Sequence, residues 1–174
     1  MDSGAEHTVA FDEPCHELDL DPGEEYDTTT LRFRYSSFAT PPRVYDYDLA
    51  TRERVLRKER EIPSGHDPDQ YLSRRTMATA PDGEQVPVSL FHHRDTQPGP
   101  DTPLLLNGYG AYGMNNLPGF SSNRLSLVNR GFVFAIAHIR GGMERGFRWY
   151  RDGKLAQKPN TFSDYIAAAE HLIE

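Results

Sequence analysis

The 174 residues carry 37% hydrophobic and 11% aromatic side chains, enough for one ordinary domain or parts of two and too many for a disordered or fibrous chain. Asp and Glu outnumber Lys and Arg by 26 to 19, and the formal charge of -7 repels phosphate backbones and acidic lipid surfaces, which sets nucleic acid and membrane aside as partners. A single cysteine, Cys15, can close no internal disulfide and build no thiolate metal cage, and reads as a small residue beside a turn.

Residues 1–6 are acidic and lack the basic and apolar stretches of a secretory signal. The longest apolar run, residues 132–137, is too short to cross a bilayer, so a soluble, cytoplasmic chain is expected. Residues 28–38 alternate apolar Leu31, Phe33 and Tyr35 with polar Arg32, Arg34 and Ser36, the two-residue period of a half-buried strand. A second alternation occupies residues 43–48. The charged run 52–61 follows a turn at Leu49-Ala50-Thr51 and is expected to return as a hairpin strand on a solvated edge. Short strands at close spacing suit a sandwich or propeller blades.

Residues 62–69, IPSGHDPD, have the chemistry of a linker, and the boundary between two units is placed there, at 66/67. Beyond it, residues 71–80 and 85–94 flank Pro81-Asp82-Gly83-Glu84, a tight reversal between antiparallel strands. The rhythm then changes. Apolar residues 104–107, a long loop, a short helix through 124–130 stopped by Gly131, and apolar residues 132–139 have the pattern of a parallel sheet covered on both faces. A last helix is expected to begin at Thr161 as its cap, with Asp164 in the first turn and Phe162, Ile166, Ala169 and Ile173 as its buried stripe. It reaches Glu174 without a stop signal, and two parallel strands bury little, so the chain is expected to be cut short.

LLLNGYGAYG, residues 104–113, places Gly108, Gly110 and Gly113 at the G-x-G-x-x-G spacing of a dinucleotide-binding turn. Such a turn must open directly into a helix whose amides face the pyrophosphate. Here Met114-Asn115-Asn116-Leu117-Pro118-Gly119 delays any helix until about Ser122, and Arg140 stands where an acidic ribose partner belongs. That weakens an NADP-binding Rossmann-type oxidoreductase without removing it. The other use of a glycine-rich loop is to bring donors close to a carbonyl oxygen that gains negative charge, and Tyr109 offers a phenol hydroxyl for that. The plainer alternative is that Tyr109 and Tyr112 pack under the loop.

NGYGAYG, RLSLVNRGFVFAIAHIRGG, WYRDGKLAQKPNTFSDYIAAAEHLI and LRFRYSSFATPPRVYDYDL, taken in their order, resemble the prolyl oligopeptidase family of serine peptidases, most of all its oligopeptidase B branch. The resemblance implies the last strands of a β-propeller (1–66) followed by the opening of an α/β-hydrolase domain (67–174). It also implies cleavage of short peptides after basic residues, with no cofactor and no metal. Tyr109 matches the family tyrosine of the oxyanion hole. Tyr112 matches an aromatic position near the substrate pocket, and Arg140-Gly141-Gly142 a loop at the end of the second parallel strand, making Arg140 a candidate substrate contact. Two positions depart from the family pattern: Asn107 replaces an aromatic, and Met143 replaces a frequent third glycine and is expected to crowd the loop.

A serine peptidase of this fold needs Ser, Asp and His in that order, the serine within G-x-S-x-G, and no such pentapeptide occurs. Gly119-Phe120-Ser121 begins like one, but Asn123 replaces the closing glycine, and Ser121 reads as a loop or cap residue. The segment is therefore expected to stop before the nucleophile, to be inactive alone, and to need its missing half or a partner chain to fold. A noncatalytic interaction module is the remaining alternative. His92 and His93 are neighbours on a strand and point to opposite faces, which prevents them from sharing an ion, and His16-Glu17 lacks a second histidine. His138 is expected to be a hydrogen-bonded structural residue.

Overall fold

A computed structural model describes residues 6–21 and 23–174. Of the acidic opening, residues 1–5 lie outside the described residues. The first unit is a four-stranded antiparallel meander of β1 (His16–Asp21), β2 (Thr30–Ser37), β3 (Arg43–Asp48) and β4 (Arg54–Glu59), in that spatial order. The alternation in β2 buries Phe33 and Tyr35 on one face, where they join Tyr47 of β3 and Phe11 from the preceding segment. Phe11 stacks on Tyr35 with ring centroids 4.6 Å apart. On the opposite face Asp46 accepts hydrogen bonds from Arg32 and Arg57 across the strands. The β3–β4 reversal is an Asx turn in which Asp48 Oδ1 accepts the amides of Ala50 and Thr51. The charged β4 is exposed along its whole length.

The second unit is a mixed sheet of β5 (Tyr71–Thr79), β6 (Gln85–His93), β7 (Leu104–Asn107) and β8 (Val133–Ala137), ordered β5-β6-β8-β7. β5 and β6 form the expected hairpin, and β7 and β8 the expected parallel pair joined through α1 (Ser122–Val128). The sheet is not parallel throughout, because the hairpin joins through an antiparallel β6–β8 pairing. α2 (Phe147–Arg151) and α3 (Pro159–Ile173) follow. Alternate residues of β6 and β8 face opposite sides: Val88, Leu90, Ala135 and Ala137 pack with Trp149 and Ala168, whereas Phe91, Phe134 and Ile136 pack with Leu125 and Val128 of α1. Phe38, Ala39 and Cys15 of the first unit close this second cluster, so the two units share a core. Cys15 is fully buried in that contact, which pushes its thiol pKa up.

The last helix departs from expectation. It begins at Pro159, a residue suited to a first helical turn, with Lys158 at the cap position. Thr161 is not the cap: it is buried inside the first turn, and its hydroxyl lies 2.7 Å from the Arg140 carbonyl and 3.2 Å from that of Gly153. Three of the four residues of the expected stripe are turned outward, and Ala169 is half-buried. Phe162, Ile166 and Ile173 are exposed, while Thr161, Asp164, Ala167 and Ala168 face inward. The reason is what the helix covers: a crowded backbone junction and a buried arginine take the small and polar Thr161 and Asp164, while Tyr165 and Leu172 are the large side chains that pack against the core.

Candidate active site

β7 and β8 run parallel and end side by side at Asn107 and Ala137, so their following loops meet at the edge where open α/β sheets collect ligands. Gly110 sits in that meeting with φ +61°, a region that side chains rarely adopt. A Cβ there would lie 2.5 Å from the Thr161 methyl and 2.7 Å from Ile139 Cγ1. Gly141 is still tighter, since a Cβ on it would collide with the Gly110 carbonyl. The Gly113 amide donates to the Gly141 carbonyl at 2.9 Å, and the Gly141 amide to the Trp149 carbonyl at 2.9 Å. These glycines thus serve close packing of the two loops on each other and on α3. No helix opens at the turn, because α1 begins only at Ser122, and the dinucleotide reading is dropped for that reason.

Tyr109 stands between two anchored glycines and is itself 49% exposed at the ends of the parallel strands. It does not pack under the loop. Tyr112 projects further, 83% exposed with φ 57°. Asn107 accepts a hydrogen bond from the Asn116 side chain at 2.7 Å, tying the end of β7 to the loop that follows. Met143 lies over Gly113, whose missing side chain leaves room for its sulfur, and its amide donates to Asn115 Oδ1 at 3.1 Å. The crowding expected of this methionine is absorbed there.

Arg140 is placed differently from the expected substrate contact. It is 4% exposed, and its guanidinium is spent on the fully buried Asp164, with Nη2 at 2.6 Å, and on Asp82 at 2.6 Å through Nη1. The Arg140 amide also donates to Asp164 at 2.9 Å. Hydrogen bonds that Arg140 donates to Asp164, and then to Asp82, raise its pKa above the ordinary arginine value, while Arg140 holds the Asp82 carboxyl below its usual range. This is a structural clasp joining the β5–β6 turn, the end of β8 and α3. Glu84, next to that turn, accepts from both Arg145 and Arg148. The sequence offered Asp164 only as a helix-turn acid, and nothing local marked it as the partner of a residue 24 positions earlier.

His138 is buried, with Nε2 2.8 Å from the Ser89 hydroxyl. Its Nδ1 has no partner among the described residues; the nearest Glu144 oxygen is 3.9 Å away. That carboxylate instead accepts the Asn116 amide at 2.9 Å and pins the loop. Ser121 is the residue before α1 and makes no side-chain capping bond. Among the described residues no cluster of three or more His, Cys, Asp or Glu is arranged to hold a metal, and no helix is long and apolar enough to cross a membrane.

A family model described as the N-terminal beta-propeller domain of prolyl oligopeptidase matches residues 2–60, and one described as the prolyl oligopeptidase family matches residues 118–174. The chain belongs to the prolyl oligopeptidase family. Its first sheet is part of a β-propeller, and its second is the opening of an α/β-hydrolase domain. It is 39% identical to dipeptidyl aminopeptidase BI of Pseudoxanthomonas mexicana, across 98% of this chain and 24% of that protein. Oligopeptidase B from Leishmania major superposes with a TM-score of 0.85 at 42% identity, over 94% of this chain and 23% of that one. Oligopeptidase B from Trypanosoma brucei, with covalently bound antipain, gives 0.85 at 44% identity, over 94% and 24% respectively. The chain therefore spans about a quarter of the length of these relatives.

Proposed function

We propose that this chain is the oxyanion-binding portion of a serine oligopeptidase that hydrolyses short peptides after Arg or Lys. The observation that carries the proposal is Tyr109, a half-exposed phenol held between two packed glycines at the carboxyl ends of parallel strands. In the reaction a serine hydroxyl attacks the scissile carbonyl, the carbonyl oxygen becomes an anion, and the Tyr109 hydroxyl donates a hydrogen bond to it. Because the charge develops only at the transition state, that bond lowers the barrier more than it aids binding. The serine, aspartate and histidine belong to polypeptide beyond this segment. Tyr112, exposed beside the site, contacts substrate side chains. The propeller part ends at residue 66 and the hydrolase part starts at 67, inside the turn between β4 and β5. A cytoplasmic setting is in keeping with a lone buried cysteine.

Support for the basic preference comes from the similarity to two oligopeptidase B structures. The test is kinetic. In the full-length protein, Tyr109→Phe lowers kcat by roughly a hundredfold with KM little changed, the usual scale for one oxyanion donor; an unchanged kcat removes the role given to the phenol. Peptide amides ending in arginine are cleaved in preference to those ending in proline, and the reverse order overturns the stated specificity. The 174-residue segment alone takes up no fluorophosphonate, and covalent labelling of it would locate the nucleophile within this chain.

A further inference from the structure

We propose that Lys158, at the start of α3, is a positioning residue that fixes the Gly110–Ala111 peptide, the second after Tyr109, and so aims the Tyr109 hydroxyl; this rests on the oxyanion role proposed for that tyrosine. Lys158 Nζ donates a hydrogen bond to the Gly110 carbonyl. Nothing in the helix itself calls for a lysine there. It occupies the cap position of α3 without making a side-chain capping bond, and a cation at the positive end of a helix works against the helix dipole. Its charge is directed out of the helix and onto the loop, with the ammonium 5.8 Å from the centroid of the Phe162 ring.

Lys158, Thr161 and Tyr165 stand at helical spacings of three and four and so share one face of α3, and all three touch the backbone around Tyr109. The Tyr165 ring lies against Gly108, where an added Cβ would be 2.8 Å away, and its hydroxyl donates to the Leu106 carbonyl at 2.9 Å. The Thr161 methyl lies against Gly110. Of the three, Lys158 alone holds the loop by a charged hydrogen bond, and it does so at a glycine, the residue most free to rotate when released. Loss of the ammonium frees the Gly110 peptide while the core beneath it stays in place. The phenol one residue earlier then loses its fixed direction.

The experiment is a double-mutant cycle in the full-length protein, using turnover of an arginyl peptide amide. Lys158→Met keeps the length of the side chain and removes the donor. It lowers kcat about tenfold with KM unchanged, less than the loss from an ångström of misplacement, while Lys158→Arg restores most of the rate. In the Tyr109→Phe background, Lys158→Met changes kcat by less than about twofold, because the group it aims is gone. The same fold loss in both backgrounds, a loss carried by KM, or no loss at all overturns the positioning role. A Tyr109→Phe enzyme with full turnover sinks the oxyanion assignment instead, and the two failures are thereby told apart. Should Lys158→Met yield no folded protein, Lys158→Gln completes the same cycle with the same readings.

Discussion

The propeller sheet and the hydrolase sheet put their charges in opposite places. In the first, Asp46 bridges Arg32 and Arg57 on an open face, and both arginine side chains are more than half exposed. In the second, Arg140 lies beneath the surface between Asp82 and Asp164, and its bonds cross from a hairpin turn to a strand end to a helix. The first arrangement repeats a local antiparallel ladder, and its two arginines stay open to water. The second joins elements far apart in the chain, and no water reaches Asp164 to compensate for a missing partner. One region tolerates change, and the other holds the loops of the site in register.

Breaking the buried clasp has the largest effect expected on stability. Asp164→Ala leaves the Arg140 guanidinium without its main partner and removes the acceptor of its amide, costing about 3–5 kcal/mol. Hydrogen exchange of β8 and α3 amides in the full-length protein reads this as loss of protection; unaltered protection refutes the clasp. Gly110→Ala comes next. The added methyl meets Thr161 and Ile139 in a left-handed backbone, a penalty of roughly 1–3 kcal/mol, together with a fall in turnover. Wild-type stability and rate in that variant would show that the junction yields.

The smallest effect belongs to the propeller sheet. Asp46→Asn costs under about 1 kcal/mol, measured by exchange of β2 and β3 amides, because the arginines around it are open to solvent. Its pH dependence has a definite sign. Hydrogen bonds, first from Arg32 and then from Arg57, lower the Asp46 carboxyl to about 2 in the folded protein, below its ordinary value of about 3.9. Its contribution is complete above about pH 4 and disappears as the pH falls through 2, so the mutant and wild-type sheets converge in acid. A difference that persists below pH 2 contradicts the ion-pair account.

The contrast also explains what could be read in the sequence. β2, β3 and the β5–β6 hairpin follow from alternation and turn residues, since the forces that form them act between near neighbours. β1 was missed because HELDLD offers only Leu18 and Leu20 as apolar residues, both exposed, and the strand is held by backbone pairing to β2. The five-residue α2 was missed because FRWYR is too short to show a period. On α3, hydrophobicity pointed to Phe162, Ile166 and Ile173 as the inner face, but burial there follows from Arg140 and the glycine junction, contacts set by tertiary packing. At the site, the G-x-G spacing and the position of Tyr109 were legible. The burial of Arg140 was not, because the acids that hold it lie 58 positions before and 24 after it.

Trp149 is the sole tryptophan of the 174 residues, and it sits at the centre of the hydrolase junction, fully buried, with its indole N–H donating to the His138 carbonyl at 3.0 Å. Three guanidinium groups, from Arg140, Arg145 and Arg148, surround its ring within 6 Å. The segment thus carries one indole, located where the loops are clasped and absent from the propeller strands. Excited at the red edge of its absorption, where the tyrosines of the neighbouring sheet absorb little, the indole reports loosening of that junction, and quenching by iodide times its opening to solvent.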